Sequence, residues 1–271
     1  MIEVRHYGAA GPGVVLLHGG PGAPGYMAPI ARRLASSFRV LEPFQRPSGG
    51  APLTVRTHIE DLHAVLDAAG EPVLLVGSSW GAMLALTFAA EHPRFAAGIV
   101  LIGCGTFDAA SRERYEQTVR SRTSAEVQAQ IDALSATVVS EDDRLIAKSA
   151  LLKSAYSHDL TTTDLEFERV DARSNRETWN DMLRLQEAGV YPQAFSVIHA
   201  PVLMLHGSWD PHPGTAIRDS LLPFLPQLEY REWPDCGHYP WLERRVHDEF
   251  YAMLESWLHA VSRRPPALDP H

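Results

Sequence analysis

The chain has 271 residues, 45% of them hydrophobic, which suits one α/β domain with an insertion or two small domains. Its 24 basic and 33 acidic side chains leave a formal net charge of −9, and no basic run offsets that balance. This argues against nucleic acid and an anionic membrane surface as main partners. No apolar run approaches a membrane span, and Met1-Ile2-Glu3-Val4-Arg5 enters strand-like sequence without a basic-then-apolar signal. The cytoplasm is therefore the expected compartment, and Cys104 and Cys236 are expected to be reduced thiols, too few for a disulfide framework.

In chain order, Ile2 to Tyr7 reads as a strand, and Val14-Val15-Leu16-Leu17 as a second that runs into His18-Gly19-Gly20-Pro21-Gly22. Val40-Leu41 marks a third strand. Thr54 to Ala69 reads as a helix closed by Gly70 ahead of Pro72. The apolar run Val73 to Val76 leads into Gly77-Ser78-Ser79-Trp80-Gly81, and a helix from Met83 to Glu91 stops before Pro93. Ile99 to Ile102, Val202 to Leu205 and Leu228 to Trp233 complete the strands. A terminal helix carries Leu242, Val246, Phe250, Leu254, Trp257 and Leu258. Apolar strands alternating with helices predict an α/β fold with a mostly parallel, doubly wound sheet, whose ligands sit beyond the carboxyl ends of the strands.

One crossover is far longer than a βαβ connection needs, because about a hundred residues separate Ile102 from Pro201. Helix-start patterns recur in it: Thr123 with Glu126 ahead of the face Val127, Ile131, Leu134 and Val138; Ser140 with Asp143; and Thr163 with Glu166. A further helix is expected from Arg176 to Ala188, ending at Gly189. Residues 107–195 thus read as a helical cap inserted into a core made of 1–106 and 196–271, the alternative being a separate domain of unrelated function. Arg263 to His271 read as a frayed tail.

Strand, G-x-S-x-G, helix is the context of a nucleophile elbow, in which a sharp turn holds the central serine with its hydroxyl off the sheet. Ser79 is therefore the expected nucleophile. A serine hydroxyl needs a base, and the partners follow in the order acid, then histidine. Asp210, just past the strand ending at Leu205, and His238, after Leu228 to Trp233, stand at those places. His238 is expected to act as base and then acid, with Asp210 orienting it; Asp235 competes for the acid role but reads as a turn former. His206 and His212 flank the acid loop as structural or pocket-lining groups. No Cys/His cluster has metal-ligand spacing, so neither metal nor cofactor is implied. Backbone N–H groups of Trp80 and of Gly20, in the glycine-rich loop, are the expected oxyanion donors.

His18-Gly19-Gly20-Pro21-Gly22 together with Gly77-Ser78-Ser79-Trp80-Gly81 resembles the α/β-hydrolase fold and, within it, the proline iminopeptidase branch. The resemblance covers most of the chain outside the cap. It implies the triad Ser79, Asp210 and His238, oxyanion donors Gly20 and Trp80, and a bracing role for His18. Three features depart from it, the first being one strand candidate, Ile2 to Tyr7, where the fold commonly starts with a hairpin. Phe44-Gln45-Arg46-Pro47 keeps only the Gln-Arg pair of the usual Asp-Gln-Arg-Gly segment, and the cap lacks tryptophan- and glutamate-rich signatures for amine recognition. Glu166, Glu168 and Asp171 either hold a substrate ammonium or form a solvated face. Trp209 and Tyr239 are expected to line an acyl pocket, and Trp241 to pack in the core. The expected function is a serine hydrolase acting on a small or medium ester, amide or short peptide. The alternatives are a proline iminopeptidase-like aminopeptidase and a non-catalytic ligand-binding member of the fold. The sequence leaves the oligomeric state open.

Overall fold

The computed structural model describes residues 2–162 and 165–264. Thr163, expected to open a helix, and the tail from Pro265 onward lie outside them; Glu166 sits in irregular backbone.

Seven strands form one sheet: β1 (Val4–Tyr7), β2 (Gly13–Leu17), β3 (Arg39–Pro43), β4 (Val73–Ser78), β5 (Ala96–Ile102), β6 (Val202–Gly207) and β7 (Leu228–Trp233). Their order is β1-β3-β2-β4-β5-β6-β7, and every pairing is parallel except antiparallel β1 against β3. The central strands β4 and β6 are buried along their whole length. This is why they read as continuous apolar runs: both faces of a parallel sheet are covered, so there is no polar side to alternate with.

The helices are α1 (Ala28–Leu34), α2 (Val55–Ala69), α3 (Trp80–Glu91), α4 (Ala109–Arg122), α5 (Ala125–Thr137), α6 (Glu141–Leu151), α7 (Lys153–Tyr156), α8 (Ala172–Glu187), α9 (Gly214–Leu221) and α10 (His247–Ser262). Strand residues divide between two cores with period 2. Val15 and Leu17 pack with α2, α3 and α9, whereas Val14 and Leu16 pack with α1 and α10 on the other face. Each fully buried side chain, such as Phe250 or Leu254 of α10, contributes roughly 1.5–3 kcal/mol. The chain leaves β2 toward β3 and returns to place β4 on the opposite side of β2. The carboxyl ends of β2 and β4 therefore flank the crevice where this topology reverses.

Helices α1 and α9 carry too few residues, seven and eight, for a clear periodic signal in the sequence. Helix α3 begins at Trp80, directly after Ser79, three residues before the expected start at Met83. Leu242 and Val246 precede α10, in a short 3-10 turn and at its N-cap.

Between β5 and β6 the chain inserts α4 to α8. The N-cap of α5 is Ser124, whose hydroxyl accepts from Val127 N, and not Thr123 as its spacing suggested. Thr123 Oγ1 instead donates to Val119 O at 2.7 Å, closing α4 and leaving its neighbour to open the next helix. Ser140 caps α6 by accepting from Asp143 N. Helix α8 starts at Ala172, four residues before the expected Arg176, because Asp171 caps it through Ser174 N. This helix is tied to the core. Glu177 accepts from Leu53 N and Asp181 from Val55 N, both at 2.9 Å, so two carboxylates stand at the N-terminus of α2 where its dipole favours them.

Candidate active site

Ser79 connects β4 to α3 with φ 55° and ψ −119°, a conformation that costs a non-glycine residue about 1–3 kcal/mol. Local packing holds it there. Ser79 N donates to Ile102 O at 2.8 Å, and a Cβ at Gly81 would stand 2.0 Å from Leu17 O, so only glycine allows the elbow to approach β2. The Trp80 N–H opens α3 and has no intrahelical acceptor. Neither it nor the Gly20 N–H donates a hydrogen bond among the described residues.

The loop after β2 is clamped to this elbow. Gln45 N donates to His18 Nε2 at 3.1 Å, which puts the imidazole proton on Nδ1, toward Gly19 O. Burial pushes the His18 pKa down to about 3, so the ring is neutral and serves as a brace. Gln45 Nε2 donates to His18 O and Trp80 Nε1 donates to Gln45 Oε1, each at 2.9 Å. Gly19 N donates to Tyr26 Oη at 2.7 Å, and that hydroxyl donates to Ser78 Oγ at 3.1 Å. Gln45 and Tyr26 thus join the glycine loop to both neighbours of the serine. The Gln-Arg pair pointed to the first; nothing in the sequence singled out Tyr26.

Asp210 is buried at the end of β6, where its Oδ2 accepts from His238 Nδ1 at 2.6 Å. Its Oδ1 accepts from His212 N at 2.9 Å and His212 Nδ1 at 2.8 Å. His206 Nε2 lies 3.5 Å from Oδ2 and donates to His212 O. Burial alone raises a carboxyl, but the charges of His238, His212 and His206 outweigh it and hold Asp210 well below the usual range. Burial keeps His212 below its ordinary value in spite of the carboxylate. Asp235 stands apart at φ 51°, ion-paired with Arg245. Gly103 follows the residue that holds Ser79 N, and a Cβ on it would meet His238 Nδ1 at 2.9 Å and Asp210 Oδ2 at 3.1 Å. The Asp–His pair therefore lies against the carboxyl end of β5, the strand paired with the one that carries the serine. The Ser79 hydroxyl itself makes no hydrogen bond to His238 among the described residues; such links commonly tighten only on substrate binding.

The insertion reaches this pair. His238 N donates to Tyr156 O at 2.7 Å, and the Tyr156 ring meets the imidazole edge-on. Tyr115 of α4 hydrogen-bonds the Tyr156 hydroxyl and stacks on His212, which stacks on His238 at 5.0 Å. Buried Glu243 accepts from Gly237 N at 2.9 Å, His158 N at 2.8 Å and Asp159 N at 2.6 Å, joining the histidine loop to the insertion.

Other expected substrate contacts are differently placed. Tyr239 is edge-on to His238 at 5.0 Å. Trp209 is 37% exposed with the Arg122 guanidinium 4.1 Å over its ring, so it is covered by an arginine and not by core. Trp241 is fully buried. Glu166 is ion-paired with Arg32 and Glu168 with Arg5, while Asp171 accepts from Ser174 N and Ser48 N. The structure does not bring these three acids into contact with Ser79, Asp210 or His238; arginines on α1 and β1 and a helix start engage them. Among the described residues, Asp210, His212 and His238 form the group whose ligand atoms, one from each, lie within 4.8 Å of one another.

A model of the alpha/beta hydrolase family matches residues 14–252. The chain belongs to the alpha/beta hydrolase family. It is 25% identical to a proline iminopeptidase of Lactobacillus helveticus over 91% of this chain and 90% of that protein. Among solved structures, this α/β hydrolase resembles VinJ with a TM-score of 0.69 at 20% identity, covering 95% of this chain and 94% of VinJ. It resembles a thermophilic esterase from Thermogutta terrifontis with a TM-score of 0.64 at 18% identity, covering 96% and 94%. These two likenesses concern the fold. No helix among the described residues is long and apolar enough to cross a membrane.

Proposed function

We propose that this family member is a cofactor-independent serine hydrolase that cleaves a small or medium carboxylic ester or amide through an acyl-enzyme intermediate. The observation that carries the reading is the strained Ser79 elbow set against the 2.6 Å Asp210–His238 pair. His238 Nε2 takes the hydroxyl proton as Ser79 Oγ bonds to the carbonyl carbon. Asp210 stabilises the imidazolium, and the N–H groups of Gly20 and Trp80 receive the oxyanion. Collapse expels the alcohol or amine, which takes the proton from Nε2, and water repeats the sequence to free the acid. Residues 107–195 act as the cap that selects the substrate, and the cytoplasm is the proposed compartment.

The full-length similarity to an iminopeptidase supports a second reading, in which the substrate is a peptide with a free amino-terminal proline. That reading needs an available carboxylate for the ammonium. It stands second because Glu166, Glu168 and Asp171 are already engaged. Initial rates on p-nitrophenyl esters and on free and blocked proline p-nitroanilides, with Ser79→Ala as blank, test both. Cleavage of acyl esters without an amine supports the first reading, and cleavage confined to free amino termini replaces it with the second. Binding without turnover in the wild type removes both in favour of a receptor.

A further inference from the structure

The serine chemistry leaves His212 without a role, yet its placement is specific. Both its Nδ1 and that of His238 aim at one carboxylate, at 2.8 Å from Oδ1 and 2.6 Å from Oδ2 of Asp210. Buried His206 stands behind the same carboxylate. One ligand atom from each of Asp210, His212 and His238 lies within 4.8 Å of the other two. The His212 side chain keeps 11% of its surface exposed, which leaves an approach from solvent. Two imidazoles and a carboxylate suit zinc, copper and cobalt, whereas magnesium and calcium take oxygen ligands.

We propose that Asp210, His212 and His238 form a site for a divalent transition-metal ion of the zinc type, whose occupation switches the serine site off. The switching rests on the hydrolase reading; the binding does not. On binding, each ring moves its proton from Nδ1 to Nε2 through water, turning two Nδ1 lone pairs and a carboxylate oxygen toward the ion. A neutral ring releases no net proton and an imidazolium releases one. With Nε2 protonated, His238 donates toward Ser79 and no longer accepts its proton, so inhibition follows from the change of tautomer as well as from loss of the Asp210 contact.

The test uses chelator-treated Ser79→Ala protein, titrated calorimetrically with zinc and followed by visible absorption with cobalt. One equivalent is expected to bind, with the intense bands of a low-coordinate cobalt site. His212→Asn in the same background keeps a donor for Asp210 but offers no imidazole, and should weaken binding more than about tenfold; His212→Gln replaces it if that variant does not fold. Wild-type turnover should fall with zinc occupancy and recover with EDTA, while magnesium and calcium leave it unchanged. Absence of zinc uptake, or equal affinity in the His212 variants, overturns the site, and binding without loss of turnover overturns the switch. Zinc uptake by a wild type that cleaves no ester or amide removes the hydrolase reading and leaves the site standing. Turnover without zinc uptake does the reverse.

Discussion

The loops at the carboxyl end of the sheet and the α5–α6 hairpin of the insertion are held in opposite ways. Around Ser79, His18, Asp210 and His238 are buried and hydrogen-bonded, and glycines pass within contact distance of neighbouring backbone. Helices α5 and α6 contain no buried residue, their apolar face is only half covered, and Val139 between them is 97% exposed. The first region is held by burial, hydrogen bonds and close glycine contacts, the fixity that the proposed proton transfer requires. The second is held by capping, by packing of its two helices on each other and by exposed polar ties from α6 to α8, Ala172 N to Asp142 and Arg176 to Glu141, so fewer buried contacts constrain it.

Substitutions should separate the two regions by size of effect. Ser79→Ala should lower turnover by about 10⁴-fold or more while leaving the elbow as it is, because alanine carries the same Cβ at φ 55°, so its melting temperature should stay close to that of the wild type. A residual rate above a tenth of wild type would break the contrast. Gly103→Ala, which presses a methyl on the Asp210–His238 pair from φ +53°, should cost about 10²-fold in kcat with little change in KM. Glu243→Ala strips the acceptor from three backbone N–H groups and should lower urea stability by about 3 kcal/mol.

Acid sharpens the comparison. Burial holds His18 at about 3 and His58 at about 4, so both are neutral when folded, whereas the unfolded chain protonates them below about pH 6.5. Their contribution is full above pH 6.5 and is lost as pH falls toward 4, by roughly 2–3 kcal/mol for each ring. His58→Gln should flatten the stability slope between pH 6.5 and 4.5, measured by urea titration; an unchanged slope would show that other groups set it. The smallest effect is expected on the hairpin, where Leu134→Ala should cost less than about 1 kcal/mol and leave kcat unaltered.

The strands and the positions of Ser79, Asp210 and His238 were readable because each depends on local pattern: an apolar run, then glycine or a polar group at its carboxyl end. What escaped the sequence depends on partners far along the chain. Glu166 and Glu168 read as free acids because Arg32 and Arg5 stand 134 and 163 residues away. His212 read no more closely than as a structural or pocket-lining group because its stack with Tyr115 and His238 exists only in three dimensions. The cap of α5 slipped by one residue because adjacent Thr123 and Ser124 compete for the same task, and only the end of α4 decides which prevails.

The backbone pairing of residues 156–161 with the loop around His238, by His238 N to Tyr156 O and Thr161 N to Leu242 O, makes the proposed base a shared possession of sheet and insertion. A chimera that exchanges this insertion for a relative's would therefore inherit the relative's histidine alignment along with its pocket. Replacing α5 and α6 leaves that seam untouched, whereas residues 156–161 and 237–243 can be exchanged only together, as one module.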